Sequence, residues 1–142
     1  MLGLGPTEVS VFEPVGIALQ SQDLGVVNQS IDHCGSIMEI DGVSDDRSVF
    51  IEAFARIGPL KSGQRRKVCA DALKLISLKA CRPRARFILA FADAAAVDSL
   101  QAWQVAVLDQ HEIERIVVTL PPALRNKLSA TQKKQKEGMN DS

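Results

Sequence analysis

The sequence predicts an α/β fold in which a mixed β-sheet is flanked by helices in three layers. Short stretches rich in branched and aromatic residues alternate with segments in which apolar residues recur every three or four positions. The apolar run at 87–91 lacks alternation, which is typical of a strand covered on both faces. Helices that link such strands require parallel neighbours, whereas a hairpin ahead of them requires an antiparallel pair. The sheet is therefore expected to be mixed.

Composition limits the class of protein. The 142 residues suffice for one domain with a substantial core. Hydrophobic residues make up 46% and charged residues 24%, which excludes a wholly disordered or collagen-like chain. No apolar run approaches the roughly 18 to 20 residues that cross a bilayer, and segment 1–16 carries Glu8 and Glu13 without any basic residue. We therefore expect a cytoplasmic protein without a secretory signal.

The chain divides into three segments. Glycines and prolines interrupt residues 1–22, which are expected to be irregular or to hold one weak strand. Residues 23–122 form the predicted α/β core domain. Residues 123–142 begin as a helix and end in a polar tail that is expected to fray beyond about Gln132, because it has too little apolar surface to stay ordered.

A helix followed by a hairpin is expected to open the core. Apolar residues recur at three- and four-residue intervals over 23–34, which predicts an amphipathic helix ended by Gly35. Residues 36–41 and 48–55 are rich in branched and aromatic residues, and the stretch between them is polar. These two segments are therefore expected to form an antiparallel pair.

The second half of the core alternates helix and strand. Ser62 is a candidate N-cap for a helix that runs to about Lys79. Residues 86–93 are the candidate central strand, and Asp93 is expected to cap a helix that buries Trp103 in the core. A last buried strand is predicted over 113–120, before two prolines.

Charge is segregated along the chain although the formal net charge is zero. Residues 1–60 hold nine acids and two basic residues, whereas residues 61–86 hold nine basic residues and the single acid Asp71. A basic cluster of this kind favours a polyanionic partner such as nucleic acid. An alternative is a solvated helix whose charge is balanced by the acidic half of the molecule.

The three cysteines have no spacing typical of a zinc knuckle or a disulfide framework. Cys34, Cys69 and Cys81 are expected to be reduced and mostly buried. His33 precedes Cys34, but adjacent residues on a helix diverge by about 100°, so the pair is not expected to bind a metal ion.

The candidate chemistry lies on the predicted hairpin. Asp41 ends its first strand and Glu52 lies in its second strand, so antiparallel pairing can bring the two carboxylates together. Two carboxylates are a minimal oxygen donor set for Mg²⁺, which also keeps waters and accepts phosphate oxygens. Asp45 and Asp46 in the turn are alternative ligands to Asp41.

The order of elements, together with Asp41 and the sequence IEAF at 51–54, resembles the PD-(D/E)XK restriction-endonuclease-like superfamily. In that superfamily a helix precedes a hairpin that carries an Asp and a Glu-x-Lys, and a second helix and strand follow. The resemblance covers about residues 23–92 and implies a restriction-endonuclease-like three-layer core. It implies Asp41 and Glu52 as catalytic residues and metal ligands.

Phe54 occupies the position of the superfamily's lysine, and Ile40 stands where the superfamily has a proline. Some members carry the lysine or a glutamine on the following helix, and Lys61, Gln64 and Lys67 are available there. Gln64 and Lys67 lie one helical turn apart, so both can face the hairpin. The resemblance therefore implies Asp41, Glu52, Gln64 and Lys67 as the catalytic set.

The leading hypothesis is a metal-dependent or degenerate nuclease-like protein that acts on or binds nucleic-acid phosphodiesters. The residues expected to contact nucleic acid are Lys61, Arg65, Arg66 and Lys74. The alternative is a non-catalytic α/β module that binds protein or nucleic acid through its basic helix. Nucleotide-binding and serine-hydrolase classes are not expected, because their glycine-rich and nucleophile-elbow motifs are absent from the sequence.

Overall fold

The computed structural model describes residues 25–140 and shows five strands and four helices within that range. The elements in chain order are β1 (Val26–His33), β2 (Ser36–Ser44), β3 (Val49–Phe54), α1 (Ser62–Cys81), β4 (Arg86–Phe91), α2 (Ala94–Asp98), α3 (Ala102–Gln110), β5 (Glu114–Val117) and α4 (Pro122–Asn140).

The five strands form one mixed sheet in the order β1-β2-β3-β4-β5. β1, β2 and β3 are a meander of antiparallel neighbours, and β3, β4 and β5 run parallel. The α/β class and the mixed sheet flanked by helices are therefore confirmed. The structure corrects one placement within the sheet, because β3 is the middle strand and β4 lies between β3 and the edge strand β5.

Helices cover both faces of the sheet and bury two apolar clusters. On one face α1 and α3 pack on the aromatic side chains of β3 and β4, and on the other face Leu128 of α4 packs on residues such as Ile51 and Ile88. The parallel register aligns Phe50 with Phe87, and their rings stack with centroids 5.3 Å apart. The result is a three-layer arrangement of helices, sheet and helix.

The helix predicted over 23–34 is wrong, because this segment contains strand β1. Val26 and Ile31 are buried in opposite clusters and Val27 is exposed, so the apolar spacing does not define one face. Cys34 and Gly35 form a two-residue turn in which both have positive φ, 53° and 81°. Such a turn matches the twist of antiparallel strands, so Gly35 closes a hairpin and not a helix.

Three further predictions require correction. Lys61, not Ser62, is the N-cap of α1. Asp93 does cap a helix, since its side chain accepts a hydrogen bond from the amide of Ala95, but this helix ends at Asp98 and α3 starts afresh. Trp103 lies on α3 with 59% of its surface exposed, and its indole nitrogen bonds to Gln101, so it is not a core residue.

The chain ends fall partly outside the described range. The weak strand expected within residues 1–22 lies outside the described residues. Helix α4 extends to Asn140, beyond the expected end near Gln132. The described residues include no helix with the length and apolar character needed to span a bilayer.

Candidate functional site

The β2–β3 pairing brings Asp41 and Glu52 together. Regular pairing covers Gly42 with Ile51 and Val43 with Phe50, and the next positions along the ladder are Asp41 and Glu52. At these positions the backbone amides donate to side-chain carboxylates and not to backbone carbonyls. The amide of Asp41 donates to Glu52 Oε1 at 2.9 Å, and the amide of Ala53 donates to Asp41 Oδ2 at 2.9 Å. Each carboxylate is therefore fixed to the opposite strand.

Glu52 is buried on the face of the sheet that α1 covers. Strand alternation sets it between Phe50 and Phe54, and 2% of its surface is exposed. Desolvation raises the pKa of Glu52 to about 8, and repulsion from Asp41 adds to the effect. Desolvation also raises the pKa of Asp41, against the hydrogen bond from Ala53. The two carboxyls therefore favour protonation more than exposed carboxyls do.

Helix α1 contributes one acid and two bases to the same cluster. Lys74 Nζ lies 3.5 Å from Glu52 Oε2 and 3.6 Å from Asp71 Oδ1, and Lys67 Nζ lies 3.0 Å from Asp71 Oδ2. Asp71 is 3% exposed. Burial lowers the pKa of Lys74, but the attraction of Glu52 and Asp71 outweighs this and raises it overall. We call Asp41, Glu52, Lys67, Asp71 and Lys74 the carboxylate–lysine cluster.

Lys67 lies next to Phe54, the residue two positions after Glu52. Phe54 packs on Phe91 with ring centroids 5.1 Å apart, so its side chain belongs to the core. Lys67 Nζ lies over the Phe54 ring, 5.6 Å from its centroid. Helix α1 thus places an ammonium group over a residue of strand β3. The side chain of Lys67 is 63% exposed, and Asp41 is partly exposed, so the cluster reaches the surface.

The remaining predicted site residues lie elsewhere. Gln64 Oε1 accepts a hydrogen bond from the Lys61 amide at 2.8 Å, so Gln64 closes the first turn of α1 and does not contact the carboxylates. Arg65 donates to the carbonyl of Leu60, and Arg66 is exposed on the same turn. The hypothesis that Gln64 completes a catalytic set therefore has no support in these contacts.

The acids of the β2–β3 turn are not part of the cluster. Asp46 Oδ1 accepts hydrogen bonds from the Ser44 and Ser48 hydroxyls at 2.8 and 2.6 Å, and these bonds lower its pKa although it is exposed. It orders the turn. Asp45 is exposed beside it. Asp41 is therefore the better partner of Glu52 for a shared cation.

Asp71 and Lys74 are contributions that sequence reasoning did not assign to the site. Asp71 is the one acid in the basic stretch 61–86, four residues after Lys67 and three before Lys74, so all three can meet on one helix face. This spacing could have indicated that the three residues belong to one site. The sequence pattern does not show which face of α1 lies against Glu52, because that orientation depends on the packing of the helix on the sheet.

The donor set suits a hard cation held by two carboxylates. Among the described residues Asp41 Oδ1 has no hydrogen-bond partner, and Glu52 Oε2 interacts with Lys74 alone. Within the described chain no three carboxylate oxygens from different residues lie within 4.8 Å of one another, so a closed cage of three acids is absent. Mg²⁺ usually takes one or two carboxylates and keeps waters, so Asp41 and Glu52 fit it.

A basic cleft lies at the other end of α1. It has a volume of about 370 Å³ and is lined by Asp46, Arg47, Ser48, Arg82, Pro83, Arg84 and Ala85. Arg82 is held over the Phe50 ring, with its guanidinium carbon 5.8 Å from the centroid. Three arginines from the β2–β3 turn and the α1–β4 loop thus share one concave surface.

Comparison of the chain with protein-family models, with curated proteins and with solved structures finds no match.

Proposed function

We propose that the chain is a degenerate relative of the PD-(D/E)XK superfamily, in which a metal-dependent phosphodiesterase site is built from Asp41 and Glu52. The observation that carries the proposal is the carboxylate–lysine cluster. Two strand carboxylates lie together, and the helix supplies Lys74 at Glu52 and Lys67 over Phe54. This set contains an acid pair that can hold a divalent ion and an ammonium group that can stabilise charge on a phosphodiester.

Mg²⁺, when bound, supplies Lewis-acid stabilisation of the charge that develops on the phosphate. The carboxylates of Asp41 and Glu52 would hold it. Lys74 keeps Glu52 oriented from the other side, and Asp71 positions both lysines. Lys67 pairs with Asp71 and lies over the Phe54 ring, and its side chain is largely exposed, so its ammonium can also bind a phosphate oxygen or orient the attacking water.

Burial of Glu52 makes the proposed site sensitive to pH. Because its pKa is raised to about 8, a cation that binds the carboxylate must displace a proton from most of the molecules at neutral pH. The affinity for Mg²⁺ is therefore expected to rise as the pH increases towards 8. Exposed carboxylates ionise far below neutral pH and do not produce this dependence.

Basic residues next to the cluster supply contacts to the phosphate backbone. Lys61 and Arg66 are exposed on the first turns of α1, close in sequence to Lys67, and Arg65 is partly exposed beside them. Cations grouped in this way bind phosphates without reading the base sequence. Both DNA and RNA are therefore expected substrates.

The test is cleavage of fluorescently labelled single-stranded DNA, double-stranded DNA and RNA by the full chain with Mg²⁺ or Mn²⁺. We expect Glu52→Gln and Asp41→Asn to abolish cleavage, while the matched control Asp45→Asn, which changes an exposed turn carboxylate, retains it. Lys67→Met should lower the rate by about 10²- to 10⁴-fold, the usual contribution of a positioned proton-transfer group. Cleavage that survives Glu52→Gln, or its absence from the wild-type chain with every substrate and ion, would refute the proposal.

The alternative is a binding module without catalysis. Phe54 at the lysine position and the cleft formed by Arg47, Arg82 and Arg84 favour it. Under this alternative the chain binds nucleic acid with an affinity that falls steeply with salt, and Glu52→Gln leaves binding unchanged. Replacement of Arg82 and Arg84 by Ala should then reduce the salt dependence. Binding that does not depend on salt would indicate a protein partner.

A further inference from the structure

We propose that His33, Cys34 and Cys81 form a Zn²⁺ site that joins the β1–β2 turn to the C-terminal end of α1. One ligand atom from each of these residues lies within 4.8 Å of the other two. Both cysteines are free and exposed, so an ion can reach them from solvent. The expectation that the cysteines are mostly buried is wrong for these two residues.

The site arises because residues 33 and 34 lie at a hairpin turn and not on a helix. The positive φ of Cys34 turns its side chain out of the alternation of β1. The Gly35 amide donates to Asp32 Oδ1 at 3.1 Å, which fixes the turn. The side chains of His33 and Cys34 can therefore converge here, whereas adjacent side chains on a helix diverge.

The imidazole is already oriented towards α1. His33 Nε2 lies 2.7 Å from the hydroxyl of Ser77 and 4.0 Å from Cys34 Sγ. In a tetrahedral Zn²⁺ site with bonds of about 2.0 Å to nitrogen and 2.3 Å to sulfur, ligand atoms are about 3.5 to 3.8 Å apart. Binding therefore requires the ligand atoms, which now lie within 4.8 Å of one another, to move closer by up to about 1 Å, and a Zn²⁺ ion at Nε2 would replace the contact with Ser77; rotation of side chains at an exposed turn allows both changes.

The ligand chemistry selects the ion. Two thiolates and one imidazole are soft or borderline donors, which favour Zn²⁺ over Mg²⁺ or Ca²⁺. Cys81 is the last residue of α1, where the partial negative charge of the helix end attracts a cation. Three protein ligands leave a fourth position to water, so we expect an exchangeable ion and not a closed structural site.

The site is separate from the carboxylate–lysine cluster. Asp71 and Cys81 are ten residues apart on α1, which is about 15 Å along the helix axis. A Zn²⁺ ion at Cys81 would hold the hairpin tip against the helix without entering the proposed phosphodiesterase site. Binding of Zn²⁺ at this site therefore does not depend on phosphodiesterase activity.

The test is titration of the reduced chain with Co²⁺, a spectroscopic substitute for Zn²⁺, followed by displacement with Zn²⁺. We expect one equivalent to bind, with the near-ultraviolet thiolate-to-cobalt charge-transfer absorption, and Zn²⁺ to abolish the signal. Cys34→Ser, Cys81→Ser and His33→Ala should each weaken binding by more than the roughly 10- to 100-fold that loss of an outer-shell partner costs. Circular dichroism of each variant verifies that the fold is retained.

The matched control is Cys69→Ser. This variant also removes one thiol, but Cys69 is partly buried and accepts a hydrogen bond from Gln104 at 2.9 Å, away from the site. Its Co²⁺ spectrum should equal that of the wild type. The proposal is wrong if Cys69→Ser loses the absorption, if the reduced wild-type chain shows none, or if Cys34 and Cys81 form a disulfide whose formation Zn²⁺ does not prevent.

Discussion

Replacement of Glu52 by Gln should make the protein more stable at neutral and alkaline pH. The amide has the same shape as the carboxyl group and keeps an oxygen to accept the hydrogen bond from the Asp41 amide. It removes a group whose ionised form is poorly accommodated, because burial and the neighbouring Asp41 raise the pKa of Glu52 to about 8. The usual outcome of a substitution at a buried polar residue is the opposite.

The magnitude follows from proton linkage. Folded Glu52 holds its proton more tightly than unfolded Glu52, so this contribution to stability is complete below pH 4.5 and is lost as the pH rises through about 8. At about 1.4 kcal/mol for each pKa unit, the full loss approaches 5 kcal/mol, of which about 3 kcal/mol is lost by pH 7. This pKa already includes the attraction of Lys74, but in Gln the amide NH₂ takes the position of Oε2 and turns a donor towards the Lys74 ammonium, which offsets part of the gain. We therefore expect a net gain of about 1 to 3 kcal/mol between pH 7 and 8.5.

The assay is urea denaturation of the wild type and of Glu52→Gln at pH 5, 7 and 8.5. The difference between their free energies of unfolding should be small at pH 5 and should grow with pH. Glu39→Gln is the matched control, since Glu39 is an exposed carboxylate on the neighbouring strand, and its effect should be near zero throughout. A variant that is less stable than the wild type at pH 8.5, or a difference that does not change with pH, would show that the pair with Lys74 dominates.

Two further predictions concern the scaffold. Gly42→Ala should destabilise the fold by about 1 to 3 kcal/mol in thermal unfolding, because its Cβ would lie 2.8 Å from Val26 Cγ2 in the core. Gly63→Ala, with no atom within 4 Å of the new Cβ, should instead stabilise α1 by about 0.5 kcal/mol; equal effects of the two would contradict the packing. Asp93→Ala should cost about 1 to 3 kcal/mol in chemical denaturation, because it removes a helix cap and the acceptor of the Gly58 amide at 2.6 Å; an unchanged midpoint would exclude this role.

Local pattern identified some elements of the fold and missed others. The β2–β3 hairpin, the helix at α1 and the buried strand β4 follow from residue types that favour one local conformation. The segment that became β1 has apolar residues at helical intervals, but Val26 and Ile31 pack on opposite faces of the sheet. Its pairing with β2 and the turn at Cys34 overrode the apparent period.

Some residues of the candidate site could likewise be identified from the sequence, and others could not. Asp41 and Glu52 were identifiable because antiparallel pairing is a short-range consequence of a hairpin. Lys74 was assigned to nucleic-acid contact and Gln64 to catalysis, whereas Lys74 lies at Glu52 and Gln64 closes the helix start. The proximity of Cys34 to Cys81 could not be predicted either, because the two residues lie far apart in the sequence and meet only through packing.

By itself the sequence determined the β2–β3 hairpin, helix α1 and the strand β4 that is buried on both faces, because backbone conformation and side-chain period are local properties. Only the tertiary structure decided that an ammonium group from α1 lies over Phe54 and another at Glu52, and that two distant thiols meet one imidazole. These contacts depend on how a helix rotates and crosses a sheet. The packing of the whole core sets that orientation, and no local segment encodes it.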